Sequence, residues 1–226
     1  MEVKLIAMTR PVGMESDSPI DVVEKAASVC YDSEPSKTGR IAKACAKSGH
    51  MSVWEHISFT FLITGVSRAC THQLVRHRHG SYSQRSQRYC KEEGFEYVYP
   101  RCSTQEQIDL FADAMEDAAA TYGSLLRTGM EPEDARGVLP NACTSMIAVT
   151  MNARALVEAG YERLCIRAQK EIRQMFQKMK QELRTYCPEV ADMMVPKCEK
   201  FSIPYCPERK KNCMHPSLEE LVGGIR

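Results

Sequence analysis

The segment RHRHGSYSQRSQRY at residues 76–89 holds four arginines, two histidines and three serines, and it contains no acidic residue. The acid-free interval is longer still and runs from His56 to Lys91. A solvated helix face normally interleaves acids with its Arg and Lys, because like charges at i and i+4 repel each other. The whole chain balances 30 Lys and Arg against 29 Asp and Glu, so the positive charge is concentrated locally. This concentration predicts an anionic ligand.

Structural signals before and within this segment place it at the end of a helix. The run ISFTFLIT (57–64) alternates apolar and polar residues and predicts a strand with one core face. Residues 65–67 predict a break, with Ser67 as the N-cap of a helix that reaches about Arg78. Gly80-Ser81 predicts the end of that helix, so most of the basic segment is expected to form a loop. Loops braced by rigid elements commonly carry functional groups.

The remaining elements predict a mixed fold. VKLIAM (3–8) and TSMIAVTM (144–151) predict strands. A helix is predicted from Pro19 to about Tyr31 after the N-cap Ser18, and a second over 38–48 with Gly49 as the terminating residue. Further helices are predicted over 105–127, 153–164 and 167–185, and a short one after Pro132. Helices and strands in this order predict one domain of α/β or α+β type.

Composition narrows the class of protein. The chain has 226 residues, 43% hydrophobic and 26% charged, with a formal net charge of +1. That charge argues against a nucleic-acid coat or a membrane-surface protein, which carry a broad positive excess. The first ten residues do not match a signal peptide, and no apolar run approaches the roughly 18 residues of a membrane span. Eleven cysteines, an odd number, suit a reducing compartment, so a cytoplasmic protein is expected.

Three interpretations of the basic segment remain open from the residues alone. Arginine forks suit phosphate and carboxylate, and serine hydroxyls complete a phosphate cradle. A solvated or structural arginine cluster is the second interpretation. RNA or single-stranded DNA binding is the third, with Tyr82 and Tyr89 stacking on bases. The spacing of His72, His77 and His79 does not favour a metal site, and His77 is predicted to be a hydrogen-bonding or stacking residue.

Further motifs refine the expected chemistry. No GxGxxG or GxxxxGK[ST] nucleotide signature is present, so any nucleotide must be held by other means. Cys143, in LPNACTS, is the least implausible nucleophile, although a buried structural cysteine is favoured there. Three further arginines follow downstream: Arg136, Arg154 and Arg163. Together with the basic segment they would form a site with an unusually high capacity to bind anions.

Five blocks of sequence carry a family resemblance. They are EHISFTF (55–61), QLVRHRHGSYSQRSQRY (73–89), ARGVLP (135–140), MNARAL (151–156) and ERLCIRAQKEIR (162–173). Together they resemble the flavin-dependent thymidylate synthases, a family marked by Arg-His-Arg, seven residues, then Ser. Here Arg76-His77-Arg78 is followed by Ser86 at that spacing. The resemblance spans roughly residues 1–190, which are expected to form the synthase domain.

The resemblance implies a fold, a reaction and an assembly. It implies a mixed, largely antiparallel central sheet flanked by helices, assembled as a homotetramer whose active sites draw on several chains. It implies that dUMP becomes dTMP, with methylenetetrahydrofolate supplying the one-carbon unit and FAD, reduced by NADPH, supplying the hydride. The alternative is an inactive relative, or one that uses residues 76–91 to bind RNA or single strands. Membrane, metal and nucleic-acid partners are not expected.

The resemblance also implies roles residue by residue. Arg163 matches the arginine at the uracil ring and is the catalytic candidate. The flavin contacts are expected from His56, Ser58, Arg76, His77, Arg78, Gln84, Asn152, Ala153, Arg154 and Glu158. The dUMP contacts are expected from Gln73, Leu74, Val75, Arg76, Gln84, Arg85, Ser86, Gln87, Arg88, Arg136 and Arg163, with Ser86, Arg88 and Arg136 at the phosphate.

The chain departs from the family pattern in places. Gln84 stands where many members have a carboxylate, and Glu158 stands where Asn or His is common. Arg167 and Lys170 replace His and Trp, so the flavin contacts depart from the pattern more than the dUMP contacts do. The tail, residues 191–226, lies outside the strong resemblance. The tail contains Cys198, Cys206 and Cys213, with Cys187 upstream and His215 after them. These cysteines are expected to be reduced or packing residues, and zinc binding is the alternative.

Overall fold

The structure, a computed structural model, describes residues 1–30, 32–102, 104–200, 205, 206 and 213. It has four strands, β1 Glu2–Met8, β2 Ser58–Ser67, β3 Gly80–Gln84 and β4 Thr144–Asn152, in one sheet with the order β1-β2-β4-β3. The helices are α1 Pro19–Cys30, α2 Arg40–Lys47, α3 Arg68–Leu74, α4 Gln105–Arg127, α5 Pro132–Ala135, α6 Ala153–Arg163, α7 Lys170–Tyr186, α8 Pro188–Met193 and α9 Lys197–Lys200, with 3₁₀ turns at Met51–His56 and Arg136–Val138. No helix in this part of the chain is long and apolar enough to cross a membrane. The expected mixed α/β fold with a largely antiparallel sheet is confirmed.

The chain forms two compact units. The first contains Met1–Glu2, Leu62–Arg76 and Tyr82–Val149, and the second contains Val3–Phe61, His77–Ser81 and the described residues from Thr150 onward. In the first unit, Ile63, Leu74, Tyr122, Ile147 and Val149 are fully buried. In the second unit, the fully buried side chains include Phe59, Phe61, Leu156, Ile172 and Phe176. Each unit therefore has an apolar core of its own, which is the main source of folding free energy.

Strand β2 corrects the predicted break at residues 65–67. The strand continues through Gly65 to Ser67, and Gly65 adopts a φ of 63°, a conformation that glycine tolerates. A Cβ at this position would lie 3.2 Å from the backbone nitrogen of Met1, so glycine is needed for space as well as for conformation. Ser67 is the N-cap of α3 as predicted, and its side chain accepts a hydrogen bond from the Cys70 amide.

The basic segment itself also differs from the prediction. Helix α3 ends at Leu74, because no apolar residue at helical spacing follows Val75. The predicted loop is in part strand β3, in which exposed Ser81 and Ser83 alternate with half-buried Tyr82 and Gln84. The alternation was hard to recognise in the sequence because the inward-facing residues are themselves polar. Strand β3 is therefore a rigid element that fixes the direction of its side chains.

A buried carboxylate connects the two helices that follow β1. Helix α2 begins after Gly39, which has a φ of 67° and offers no side chain to cap the helix. Glu24 of α1, 1% exposed, replaces the missing cap: its Oε1 accepts from the Ala42 amide at 2.8 Å, and its Oε2 accepts from the Ser36 amide at 3.1 Å. One side chain thus satisfies a backbone donor of the helix and one of the loop before it.

Replacing Glu24 with alanine is expected to lower the free energy of unfolding by about 1–3 kcal/mol, because two backbone N–H groups lose their acceptor. Chemical denaturation followed by circular dichroism measures this loss. Glu34→Ala removes an exposed carboxylate from the same region and serves as the control. Equal losses in the two variants would contradict the capping role.

Candidate functional site

Gln84 is the centre of a small polar network in the first unit. Its Nε2 donates to Thr71 Oγ1 at 2.9 Å and to Ser145 Oγ at 3.1 Å, which connects β3 to α3 and β4. These contacts border a cavity of about 240 Å³ that Arg68, His72, Val75 and other residues also line. A carboxylate at position 84 could accept from the two hydroxyls but could not donate to them. The amide therefore preserves the network while removing a negative charge from the cavity.

Arg88 and Arg136, both predicted to bind phosphate, meet at one acidic residue. Arg88 donates through Nε to Glu133 Oε2 at 2.7 Å and also contacts it through Nη2 at 2.6 Å, while Arg136 donates through Nε to the Glu133 carbonyl oxygen at 2.9 Å. Ser86 Oγ accepts from the Arg88 amide at 3.2 Å. The structure therefore brings the three predicted phosphate residues together, and Glu133 balances part of their charge.

Other residues of the predicted dUMP set have structural partners. Leu74 is fully buried, and its carbonyl accepts from the Tyr82 hydroxyl at 3.2 Å. Arg85 lies 3.5 Å from the carboxylate of Glu92. Burial raises the pKa of Glu92, and the nearby Arg85 and Arg68 oppose that rise. Gln87 is buried, and its Nε2 lies 3.8 Å from Cys143 Sγ. All these contacts lie within the first unit, and they stabilise its structure.

Arg154, in the second unit, is held between two carboxylates. Its Nε donates to Glu158 and its Nη1 donates to Glu55, both at 2.8 Å. These contacts raise the pKa of Arg154, chiefly through the hydrogen bond that it donates to Glu158. Asn152 is the N-cap of α6, and its Oδ1 accepts from the Ala155 amide at 2.8 Å. The same side chains, together with His79, line a cavity of about 200 Å³ at the helix N-terminus.

His77 and Arg163 form the second notable contact of this unit. Arg163, the last residue of α6, donates through Nε to His77 Nε2 at 2.9 Å. The His77 ring also packs against Phe176 of α7, with ring centroids 6.0 Å apart. Burial and Arg163 lower the pKa of His77, and Glu162 opposes them. His77 is a hydrogen-bonding residue, as predicted, and its ring packs against Phe176 at an angle of 55° instead of stacking on it.

The other predicted flavin residues are placed as follows. Arg76, Arg78 and His56 are exposed. The Ser58 amide donates to Thr9 Oγ1 at 2.9 Å, and its carbonyl accepts from the Thr9 amide. Ala153 is fully buried, and its amide donates to the Ile57 carbonyl at 2.9 Å. Ala153 therefore fixes the backbone at the start of α6, and its side chain serves packing.

Three acidic partners were missed by reasoning from the sequence. Glu55 opens the EHISFTF block and Glu133 lies three residues before Arg136, so both were inside or beside quoted motifs. Glu92 directly follows the acid-free interval. Glu55 and Glu133 each pair with an arginine far along the chain, at 99 and 45 residues, and no local pattern marks such pairs. Glu92 pairs with Arg85, seven residues before it.

Six of the eleven cysteines fall into two groups. Cys143 and Cys187 are buried, and burial raises the pKa of each thiol to about 11, which disfavours the reactive thiolate. Cys143 is thus a structural residue, as favoured from the sequence. Cys198, Cys206, Cys213 and Cys165 line one cavity of about 300 Å³. Among the described residues, no three Cys, His, Asp or Glu side chains have the arrangement of a metal site, and His215 lies outside those residues.

Comparisons with known proteins decide the family. The family model described as thymidylate synthase complementing protein matches residues 12–189. A flavin-dependent thymidylate synthase from Nitratidesulfovibrio vulgaris is 45% identical over 188 residues, which cover 79% of this chain and 76% of the relative. The chain belongs to the flavin-dependent thymidylate synthase family. The resemblance carried by the five sequence blocks is thereby confirmed.

Two further comparisons extend the match. A flavin-dependent thymidylate synthase from Clostridium tetani is 37% identical over 224 residues, covering 87% of this chain and 89% of the relative. The crystal structure of thymidylate synthase X from Helicobacter pylori with FAD and dUMP has a TM-score of 0.70, and it covers 86% of this chain and 99% of its own at 22% identity. The second comparison shows that the fold of this synthase family is shared even where the sequences have diverged.

Proposed function

We propose that this protein makes dTMP from dUMP, with methylenetetrahydrofolate as the one-carbon donor and FAD, reduced by NADPH, as the source of hydride. The family match over residues 12–189 is the observation that carries this function. The matched region contains every arginine that the sequence motifs assign to the two nucleotides. A thymidylate synthase of this kind needs no nucleophilic cysteine, in keeping with the raised pKa of the Cys143 thiol.

Arg88, Arg136 and Ser86 are proposed to bind the dUMP phosphate. Arginine forks form strong, charge-assisted hydrogen bonds with phosphate oxygens. Arg88 already directs its fork at the carboxylate of Glu133, which occupies it as a phosphate oxygen would. Phosphate binding therefore exchanges one anionic partner of Arg88 for another, while the contact between Arg136 and the Glu133 carbonyl keeps the second arginine close.

Arg163 is proposed to act on the uracil ring. A cation beside the imide stabilises the ionised form of the imide and the charge that develops on the ring when its carbon attacks the one-carbon unit. Arg163 suits this role because its guanidinium is half-buried and is held by a hydrogen bond. A fixed, partly desolvated charge stabilises a developing charge more than a mobile, hydrated one does.

The cavity at the N-terminus of α6 fits part of FAD. Arg154, His79 and the amides of the first helical turn suit an anionic phosphate. Its volume of about 200 Å³ is smaller than the roughly 300–1,000 Å³ of sites that enclose a drug-sized ligand, so further FAD contacts are required. When bound, the flavin accepts hydride from NADPH and supplies it to the nucleotide. The exposed Arg76 and Arg78 are proposed to add contacts of their own.

A shared site in a homotetramer is proposed on the same grounds. A cavity too small for the whole cofactor supports a site that a second subunit completes. Light scattering of the purified protein measures the mass directly, and a mass of one 25.5 kDa chain would exclude the tetramer. A cytoplasmic location is proposed from the eleven free cysteines, since reducing compartments keep thiols unpaired.

The contacts of the basic segment disfavour nucleic-acid binding. Arg88 pairs with Glu133, and Arg85 lies near Glu92. Acids from other parts of the chain thus interrupt the positive charge that the sequence concentrates. Binding of single-stranded nucleic acid needs a continuous basic groove with aromatic side chains on which the bases stack.

The visible absorbance spectrum before and after dUMP addition tests the proposed function first. Purified protein, loaded with FAD if necessary, is expected to show an oxidised flavin spectrum that shifts when dUMP binds. Formation of dTMP from dUMP, methylenetetrahydrofolate and NADPH completes the test. A protein that takes up no FAD and does not respond to dUMP would contradict the proposal.

Glu158 is expected to weaken FAD binding. It pairs with Arg154 and places a negative charge in the cavity proposed for an anionic phosphate. Glu158→Gln is expected to lower the Kd of FAD about two- to fivefold, the effect of one exposed ion pair. Quenching of flavin fluorescence measures the Kd, and Glu116→Gln, an exposed acid on α4, is the control. Weaker FAD binding would instead mean that the Glu158 carboxylate itself accepts a hydrogen bond from the flavin.

A further inference from the structure

We infer that His77 is a positioning residue for Arg163: its unprotonated Nε2 holds the guanidinium in the orientation that the reaction requires. This inference rests on the role proposed for Arg163. The direct observation is the hydrogen bond of 2.9 Å from Arg163 Nε to His77 Nε2. Arginine has five N–H donors, and this contact uses only the one on Nε. The two Nη groups take no part in it and can act on an anionic substrate.

The imidazole is itself held in place by the core. Its ring lies 6.0 Å from the Phe176 ring, centroid to centroid, at an interplanar angle of 55°. Phe176 is fully buried in the middle of α7. The guanidinium at the C-terminal end of α6 is therefore attached through His77 to a second helix. Without this attachment, a long arginine side chain at a helix end would sample many rotamers, which costs free energy when one of them must be selected.

The hydrogen bond requires a neutral histidine. Arg163 can only donate, so Nε2 must carry a lone pair and no proton. Burial lowers the pKa of His77, Arg163 lowers it further, and Glu162, the neighbouring acid on α6, acts in the opposite direction. The imidazole therefore stays neutral below the usual pKa of histidine. At lower pH, protonation would replace the acceptor with an N–H and set two cations against each other.

The same contact constrains what His77 can do for the flavin. The resemblance assigns the whole Arg76-His77-Arg78 motif to flavin binding. In this structure Nε2 is an acceptor engaged by Arg163, so it cannot donate to the flavin. In the neutral imidazole the proton is on Nδ1, so any donation to the flavin would come from that nitrogen, and a flavin contact of His77 is compatible with its role at Arg163.

Three variants test the inference. His77→Leu removes the acceptor and is expected to lower kcat about 10- to 100-fold, the range for a hydrogen bond to a charged group. His77→Gln offers an amide oxygen near the position of Nε2 and is expected to restore most of the loss. His50→Gln, at an exposed histidine of the same unit, is the control.

The pH profile of kcat separates positioning from general structural support. The wild-type profile is expected to fall on the acidic side, below the ordinary pKa of histidine, as His77 takes up a proton and releases Arg163. His77→Gln has no group that titrates there and is expected to lose this acidic limb. This measurement needs only the glutamine variant, so it applies even if the leucine variant does not fold.

The outcomes test the role proposed for Arg163 and the positioning role of His77 separately. If Arg163→Ala keeps its activity, the role proposed for Arg163 is wrong. If Arg163→Ala is inactive while His77→Leu keeps the wild-type kcat and pH profile, the positioning role alone is wrong. If the double variant Arg163→Ala/His77→Leu has the same residual activity as Arg163→Ala alone, the positioning role is supported, since the effects of coupled residues do not add.

Discussion

Replacing Arg163 with alanine is expected to reduce kcat about 10²- to 10³-fold, with a much smaller change in the KM for dUMP. A group that stabilises the charge developing in the transition state contributes on this scale. The side chain is half-buried and held by His77, so its charge needs little reorganisation during the reaction. Steady-state rates of dTMP formation, with NADPH and methylenetetrahydrofolate saturating, measure the effect.

Arg163→Lys refines this expectation. Lysine keeps the positive charge but lacks the planar fork and cannot reach His77 and the uracil ring in the same geometry. We expect an activity between those of the wild type and Arg163→Ala. Arg184→Ala, at an exposed arginine of α7, is the control for loss of one positive charge. If Arg163→Ala raised the KM for dUMP and left kcat intact, Arg163 would be a binding residue and not a catalytic one.

Replacing Arg88 with alanine is expected to raise the KM for dUMP about 10- to 100-fold while kcat changes little. A charge-assisted hydrogen bond is worth about 1.5–3 kcal/mol, and the phosphate is remote from the reacting ring. Binding energy of this kind is equal in the ground state and the transition state, so its loss appears in KM. Arg127→Ala, at an exposed arginine at the end of α4, controls for net charge.

Glu133→Gln provides the complementary test of the same contact. Glu133 competes with the phosphate for Arg88, to which it lies within hydrogen-bonding distance. Removing its charge is expected to tighten dUMP binding about two- to fivefold, the effect of one exposed ion pair. Weaker binding in this variant would show that Glu133 positions Arg88 and Arg136 more than it competes for them.

Signals that act over a few residues were sufficient to predict most of the elements. The N-cap Ser67 and the proline at the start of α1 mark helix starts, and the alternation of Phe59, Phe61 and Ile63 marks β2. The errors occurred where the local signal was ambiguous. Gly65 predicts a break by its residue type but lies within β2, and β3 is not evident in the sequence because its inward-facing residues are polar.

The sequence by itself determined the family and the local concentration of arginines, because short motifs at fixed spacing carry both. Only the tertiary structure decided the partners of those arginines. Arg88 meets Glu133 across 45 residues, Arg163 meets His77 across 86, and Arg154 meets Glu55 across 99. Residues so far apart in the chain interact only after the core has formed, since burial of apolar surface, and not attraction between exposed charges, supplies the free energy that brings them together.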